Sequence, residues 1–446
     1  MDLRIDPSPL LRGTVAVPPN KSHSFRALVA AGLADGVSTI RKPALSDDWR
    51  LGVTALRMLG AHVEQSSPDT WQIRGVAGRP VTPPDVINCG NSGLVFRLFT
   101  AAAAIGYGCT VLTGDESIRT IRPIGPLVDA LLQLGAFAVS TKGDGHAPVV
   151  VGGPLRGGVA QFEGADSQYI SALLFAVAAA GVEADIRVTN AGEKPWVGLT
   201  LSWLDRLGVH VEHENFEHYR LAGRQRPPAP VGPAAPPPPT GPTPWAGFDF
   251  TVPADWSAAL YPLVAALVTP GSEVTVAGLD GDDPQPDRLV LDVLRRMGGD
   301  IRQEGDRITA RGSRLHGRRI DCNDFIDQFP LLAVVGCFAE GETELVNAEI
   351  ARHKECDRIS QMARSLRAMG ADLDERPDGL TIRRSGLAGS DLDSQADHRM
   401  VMTLTVAALA ASSASTIRRA ECVSKTFADF PEAMARLGGH ITVAGN

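Results

Sequence analysis

The side chains best able to do chemistry stand at the starts of apolar stretches. Five such starts read Lys21-Ser22, Asn91-Ser92-Gly93, Ser167-Gln168, Asp327 and Asp397-His398-Arg399. If these stretches are helices, each start offers unpaired N–H groups and a partial positive charge. Several starts brought together would hold phosphate and carboxylate groups. Basic residues at or near these and other breaks add to the same property: Lys21, Arg26, Arg97, Arg122, Lys354, Arg358, Arg399 and Lys425. A single lysine or arginine is more often a solvated surface residue, so the weight lies on the set. The stretch GTVAVPPNKS (13–22) ends in Lys-Ser as a nucleotide phosphate loop does. It lacks the glycine before lysine, and Pro18-Pro19 withhold two N–H donors, so that reading is rejected. No G-x-G-x-x-G follows a strand-like run and no H-E-x-x-H occurs, so neither a dinucleotide nor a metal cofactor is expected.

The elements that must position these groups come as a sixfold repeat. A helical apolar pattern, then Leu or Met, a glycine and a short strand recur as ALRMLGAHVE, ALLQLGAFAV, SWLDRLGVHVE, VLRRMGGDIR, SLRAMGADLD and AMARLGGHITV. Their glycines are Gly60, Gly135, Gly208, Gly298, Gly370 and Gly438, separated by 75, 73, 90, 72 and 68 residues. Each stands where a helix must stop, in a left-handed conformation that glycine adopts cheaply. A second phrase accompanies each copy: a polar start, an Ala/Leu-rich helix apolar on nearly every side, and a β-branched strand. Such helices should be buried. The long interval contains ten prolines between Pro227 and Pro244, which predicts an exposed Pro-rich insert over residues 225–245. It follows the third repeat, so the architecture is three plus three.

Composition limits what such a chain does. At 446 residues, 44% hydrophobic and 21% charged, it should form two globular domains. A net charge of −8 argues against a nucleic-acid partner. The beginning shows no apolar signal segment, and Arg97 interrupts the apolar run from Leu94, so no membrane association is expected. Cys89, Cys109, Cys322, Cys337, Cys356 and Cys422 are scattered, as in a reduced cytoplasmic protein.

Nine motifs together carry a family resemblance: NKSHSFRA (20–27), SDD (46–48), GNSGLVFR (90–97), IRPIG (121–125), DSQYISALL (166–174), FIDQFPLLAV (325–334), RHKECDRI (352–359), DHRM (397–400) and SKTF (424–427). The chain resembles the enolpyruvyl transferases, closest to the 5-enolpyruvylshikimate-3-phosphate (EPSP) synthase branch. The resemblance implies a two-domain inside-out α/β barrel with three βαβαββ repeats per domain. The expected boundaries are 1–18 plus 248–446 for one domain and 19–247 for the other, with chain crossings near 13–20 and 245–256. It also implies a monomer that transfers the enolpyruvyl group of phosphoenolpyruvate (PEP) to a hydroxyl of a small anionic acceptor, without a cofactor. By the same resemblance Lys21, Gly93, Arg122, Gln168, Arg358, Arg399 and Lys425 bind PEP. Asp327 and Glu355 are its acid/base carboxylates, with Asp327 at the acceptor hydroxyl and Glu355 at the PEP methylene, and Lys21 and Lys425 stabilise charge. The chemistry is self-consistent, because addition to PEP needs a base for the acceptor proton, an acid for the methylene carbon and cations for the anions.

The acceptor side departs from the family. Its set here is Ser22, Arg26, Asp166, Ser167, Gln168, Glu193, Trp196, Asp327 and Lys354. Asp166 and Glu193 stand where the family has serines, Trp196 where it has tyrosine, Leu94 where it has threonine and Ile350 where asparagine is common. Carboxylates beside a bound phosphate would repel it, whereas they accept hydrogen bonds from hydroxyls, and Trp196 offers a stacking face. The expectation is therefore an altered acceptor, with the 3′-hydroxyl of UMP in a nucleoside-antibiotic pathway as the leading choice. An ordinary EPSP synthase and an inactive ligand-binding scaffold are the alternatives. The loop 115–122 has no cysteine, unlike that of the UDP-sugar branch, so that branch is disfavoured.

Overall fold

A computed structural model describes residues 1–223 and 245–444. They divide into two compact units, Met1–Lys21 with Pro253–Asn446 and Ser22–Val252. The crossings at 21/22 and 252/253 lie a few residues beyond the expected 18/19 and 247/248, for a reason visible in the pairing. Strand Asp249–Thr251 runs parallel to Val37–Arg41 and belongs with the second unit. Pro19 instead bridges Ala254 in the first.

Among the described residues six four-stranded sheets, three in each unit, match the six repeats. The second repeat shows the common plan: strand Ile87–Asn88, buried helix Gly93–Ala103, strand Cys109–Thr113, amphipathic helix Gly125–Gln133, then strands Phe137–Ser140 and Val149–Gly152, with a short helix Glu116–Thr120 inserted. The first strand pairs parallel with the next, and the other two pairings are antiparallel. This is a βαβαββ unit. Three segments complete distant repeats. Asp249–Thr251 opens the first, Arg12–Ala16 pairs parallel with Glu273–Ala277 to open the fourth, and Asp2–Asp6 inserts between Ser415–Arg418 and His440–Ala444 to complete the sixth. The six repeat glycines all carry positive φ, between 75° and 101°.

The apolar helices are buried as their composition demands. Every residue of Trp256–Val268 and of His398–Leu409 is buried, and both helices pack on Phe329–Phe338 within the first unit. In the second unit Gly93–Ala103 packs against Ser167–Ala180. Each unit has its own hydrophobic core. No helix among the described residues is long and apolar enough to cross a membrane. No group of His, Cys, Asp and Glu among them could hold a metal ion, and their six cysteines are free.

The insert predicted over 225–245 lies outside the described residues except at its end, where the expectation of exposure fails. Trp245 is 3% exposed and donates its indole N–H to the Ala30 carbonyl at 2.8 Å. An indole with a polar partner is worth burying, and this one ties Trp245 to the helix Lys21–Leu33 that carries Ala30. Trp245→Ala should lower stability by about 3–5 kcal/mol, read as a urea unfolding midpoint against wild type.

Candidate active site

In the first unit the chemistry is organised by one guanidinium. Arg358 begins helix Arg358–Ala368, whose N-cap Asp357 accepts from Ser360 N–H. Its side chain is 1% exposed. Nη1 donates to Asp327 at 2.8 Å, Nη2 to Glu355 at 2.8 Å and Nε to Asp397 at 2.8 Å, with a further bond from Nη2 to Asp397 at 3.2 Å. Asp397 is itself the N-cap of helix His398–Leu409 and accepts from Arg399 N–H at 2.9 Å. The other oxygen of Asp327 accepts from Arg399 Nη2 at 2.8 Å, and that of Glu355 from Lys425 Nζ at 3.2 Å. Asp327, Glu355, Arg358, Arg399 and Lys425 therefore form one hydrogen-bonded array, which the sequence alone did not connect.

Electrostatics in this array favours charged forms. Burial alone would raise the Asp327 carboxyl, but Arg399, Arg358 and Lys354 outweigh it and hold the group well below the usual carboxylate range. Arg358 is held well above its ordinary value, because burial is outweighed by Asp397, Glu355 and Asp327. His398 is 1% exposed and pushed well below its ordinary value, first by burial and then by Lys21, so it is neutral at physiological pH. Lys21 thus lies close enough to this array to be felt by it. Lys354 is 8% exposed and acts on Asp327.

In the second unit the equivalent centre is Arg97, 3% exposed at its side chain. Nη1 donates to Gln168 at 3.0 Å, Nη2 to the Pro123 carbonyl at 3.0 Å, and Nη2 lies 3.1 Å from Asp166. Its guanidinium also sits over the Tyr169 ring, 5.1 Å from the centroid, and Tyr169 donates to the same carbonyl at 2.8 Å. Gly93 makes room for two guanidinia: an added Cβ would lie 2.6 Å from Arg122 Nη1 and 2.8 Å from Arg97 Nη1. Only a residue without a side chain lets both approach. Arg122 Nη1 donates to the Asn91 carbonyl at 3.4 Å.

The residues expected to contact the acceptor mostly have partners of their own. Asp166 is the N-cap of Ser167–Ala180, accepting from Gln168 N–H at 2.9 Å with one oxygen and facing Arg97 with the other. Aspartate and serine are near-equal N-caps, so this departure from the family exchanges one capping residue for another. Glu193 is 2% exposed and accepts from Ser167 N–H at 3.0 Å and Ser167 Oγ at 2.7 Å. Its backbone is left-handed at φ 50°, strained for a non-glycine residue. The carboxylate thus covers the same helix start that Asp166 caps. Arg26 donates to Thr200 Oγ1 at 3.0 Å, the Trp196 carbonyl at 2.9 Å and the Ser22 carbonyl at 3.3 Å. Burial pulls it down to about 9, which leaves it charged at neutral pH. Trp196 is 8% exposed.

Two expectations change. The start at Ser167 is not an open anion site, because Glu193 and Asp166 take the Ser167 and Gln168 N–H groups, and at His398 Asp397 takes the Arg399 N–H. The argument that Asp166 and Glu193 await ribose hydroxyls also loses its basis, since both are bonded inside their unit. Tyr169 organises the site although the sequence reading assigned it no role, and Asp397 and Arg97, read as part of a helix start and of the basic set, prove to be each bonded to specific partners. For Asp397 the signal was its place immediately before a buried helix; for Tyr169 nothing distinguished it from core.

Comparison with known proteins finds relatives over nearly the whole chain. The family model of EPSP synthase (3-phosphoshikimate 1-carboxyvinyltransferase) matches residues 5–434. A 3-phosphoshikimate 1-carboxyvinyltransferase of Acetivibrio thermocellus is 41% identical, covering 96% of this chain and 97% of its own. One from Halobacterium salinarum is 42% identical, with 98% and 99% covered. The EPSP synthase structure of Acinetobacter baumannii superposes with a TM-score of 0.80 at 27% identity over the full length of both chains. The enolpyruvyl transferase NikO of Streptomyces tendae shares the fold, with a TM-score of 0.77 at 20% identity, covering 100% of this chain and 99% of that one. A UMP acceptor finds no support among these relatives.

Removing Arg358 would leave Asp327, Glu355 and Asp397 without their shared partner. Arg358→Ala should cost about 3–5 kcal/mol at neutral pH. Asp327 has a depressed folded pKa, so its stabilisation is present above the unfolded value near 3.9 and is lost as pH falls through the folded one. The gap between wild type and variant should therefore narrow below about pH 4, checked by thermal unfolding across that range.

Proposed function

The chain belongs to the EPSP synthase family and is a PEP-dependent enolpyruvyl transferase, and on that premise we propose that its acceptor is shikimate 3-phosphate. The observation that carries this reading is the full-length likeness to relatives named for that substrate. The internal bonding of Asp166 and Glu193 supports it by removing the reason to expect a different acceptor. Of the acceptor set read from the motifs, Ser22, Arg26, Gln168, Asp327 and Lys354 stay as proposed contacts, whereas Ser167 is engaged by Glu193. The PEP contacts proposed from the motifs are Lys21, Gly93, Arg122, Gln168, Arg358, Arg399 and Lys425.

The array around Arg358 suggests how the step runs. In the resting enzyme Asp327 is ionised and weakly basic, because two guanidinia hold it. When the carboxylate or phosphate of PEP engages Arg399 and Arg358, their positive charge is shared and Asp327 becomes a stronger base. It takes the proton of the acceptor hydroxyl as the oxygen attacks C2 of PEP. The Lys425 ammonium, hydrogen-bonded to Glu355, supplies through that carboxylate a proton to the methylene carbon, which gives a tetrahedral intermediate. Proton transfers in the opposite sense then expel phosphate and leave the enolpyruvyl ether, with Lys21 and Lys425 stabilising the departing charge.

Phosphate release from PEP, measured with shikimate 3-phosphate, UMP and UDP-GlcNAc in parallel, tests the acceptor. Turnover is expected with shikimate 3-phosphate; turnover with UMP alone would overturn the reading, and none with any acceptor would indicate a binding scaffold. Asp327→Asn should lower kcat by about 10²–10⁴-fold; full turnover would remove Asp327 from the proton path. Arg399→Lys replaces a planar two-pronged donor by a point charge and should raise KM for PEP by about tenfold. The triple change Asp166→Ser, Glu193→Ser, Trp196→Tyr should lower the melting temperature without raising kcat/KM for shikimate 3-phosphate. A rise would reinstate those residues as acceptor determinants.

A further inference from the structure

Behind Arg399 lies a carboxylate that neither the motifs nor the proton path uses. Asp287 is completely buried in the short turn Pro286–Leu289. Its Oδ2 accepts from Ser257 Oγ and, at 2.6 Å, from Gln328 Nε2, and lies 3.9 Å from Arg399 Nη1. Arg399 is thus held between two carboxylates, Asp327 at 2.8 Å through Nη2 and Asp287 through Nη1. The remaining oxygen of Asp287 and the amide oxygen of Gln328 are both buried acceptors without a hydrogen-bond donor. These two side chains already touch, so a proton on Asp287 would supply the one donor the pair lacks.

We propose that Asp287 is a positioning residue that shares Arg399 with PEP, holding the guanidinium in the free enzyme and releasing it, with uptake of a proton, when the substrate anion binds. The inference rests on Arg399 being a PEP contact. The groups facing Asp287 are few. Arg399 comes from helix His398–Leu409, Ser257 and Tyr261 from helix Trp256–Val268, and Asp327 and Gln328 from the turn Asn323–Gln328. Burial raises Asp287 to about 7, with Asp327 pushing the same way against Arg399, Ser257 and Gln328. A dianion arriving at Arg399 withdraws the main opposing charge and raises it further, so binding takes up a proton near neutral pH. Above that range ionised Asp287 competes for Arg399 and repels PEP, and PEP binding weakens as pH rises.

The test is KM for PEP across about pH 6–9 in wild type and Asp287→Asn, whose amide keeps the shape without titrating. The titration of PEP itself is common to both and cancels in the ratio. The wild-type to variant KM ratio should grow by about threefold or more over that range, the limit for a single proton being tenfold per pH unit. A ratio that is flat with pH would overturn the proposal, because a merely structural role shifts KM equally at every pH. Ser257→Ala gives a second reading that stands even where Asp287→Asn does not fold. Loss of one donor to the carboxylate should move the alkaline rise in KM upward by about one pH unit, and an unmoved rise would count against the idea. If Arg399→Lys leaves KM for PEP unchanged, the assignment of Arg399 fails first. If that variant raises KM and the Asp287→Asn ratio is flat, only the present inference fails.

Discussion

Arg358 is buried with its charge, and a buried guanidinium is tolerable only when its donors are taken. Three carboxylates take them, and they come from three places in the chain: the turn before Phe329–Phe338, the loop before Arg358 itself, and the cap of His398–Leu409. This one requirement ties those segments together. It also places Asp327 and Glu355, through Arg399 and Lys425, in a single array. Internal carboxylates there already engage Arg358, Arg399 and Lys425, so an incoming anion competes with them for those donors. On the mechanism proposed above, substrate binding and proton movement are parts of the same exchange.

The second unit solves a related problem with the same parts. Arg97 is buried against the aspartate that caps a buried helix, as Arg358 is against Asp397. Caps of this kind recur at Asp166, Asp255 and Asp397, each at the head of a helix with few or no exposed positions. A buried helix start cannot leave its N–H groups to water, so a carboxylate supplies the acceptor and matches the helix dipole. At these three helix ends a carboxylate occupies an N–H group that an incoming anion could otherwise use. The same capping explains why an aspartate can replace a serine at position 166 at little cost.

Much of the fold was legible because its determinants are local. The glycine after each amphipathic helix needs positive φ whatever surrounds it, and an Ala/Leu-rich helix with no polar face must be covered. Those two facts were enough for six repeats, and the proline-rich interval after the third marked the three-plus-three order. The contributions of Asp2–Asp6, Arg12–Ala16 and Asp249–Thr251 to distant repeats were less visible. A short strand carries no mark of its partner, and pairing is settled by which sheet edge lies beside it. Trp245 was misread for a similar reason: its proline-rich neighbours suggest exposure, and only the carbonyl of Ala30 shows that the indole has a buried place.

The sequence by itself determined the repeat, the buried helices and the roster of charged residues, because each depends on residue type and on neighbours a few positions away. Which charges meet was decided only by tertiary structure. Asp166 and Glu193 read as ligands when taken as isolated carboxylates, and as helix-end partners once Arg97 and Ser167 stand beside them. Asp287 could not be singled out at all, since its character comes from burial next to Arg399, 112 positions along the chain. Charge is a property of a residue, but its pKa and its partner belong to the surroundings, and in this protein those are assembled from segments far apart in sequence.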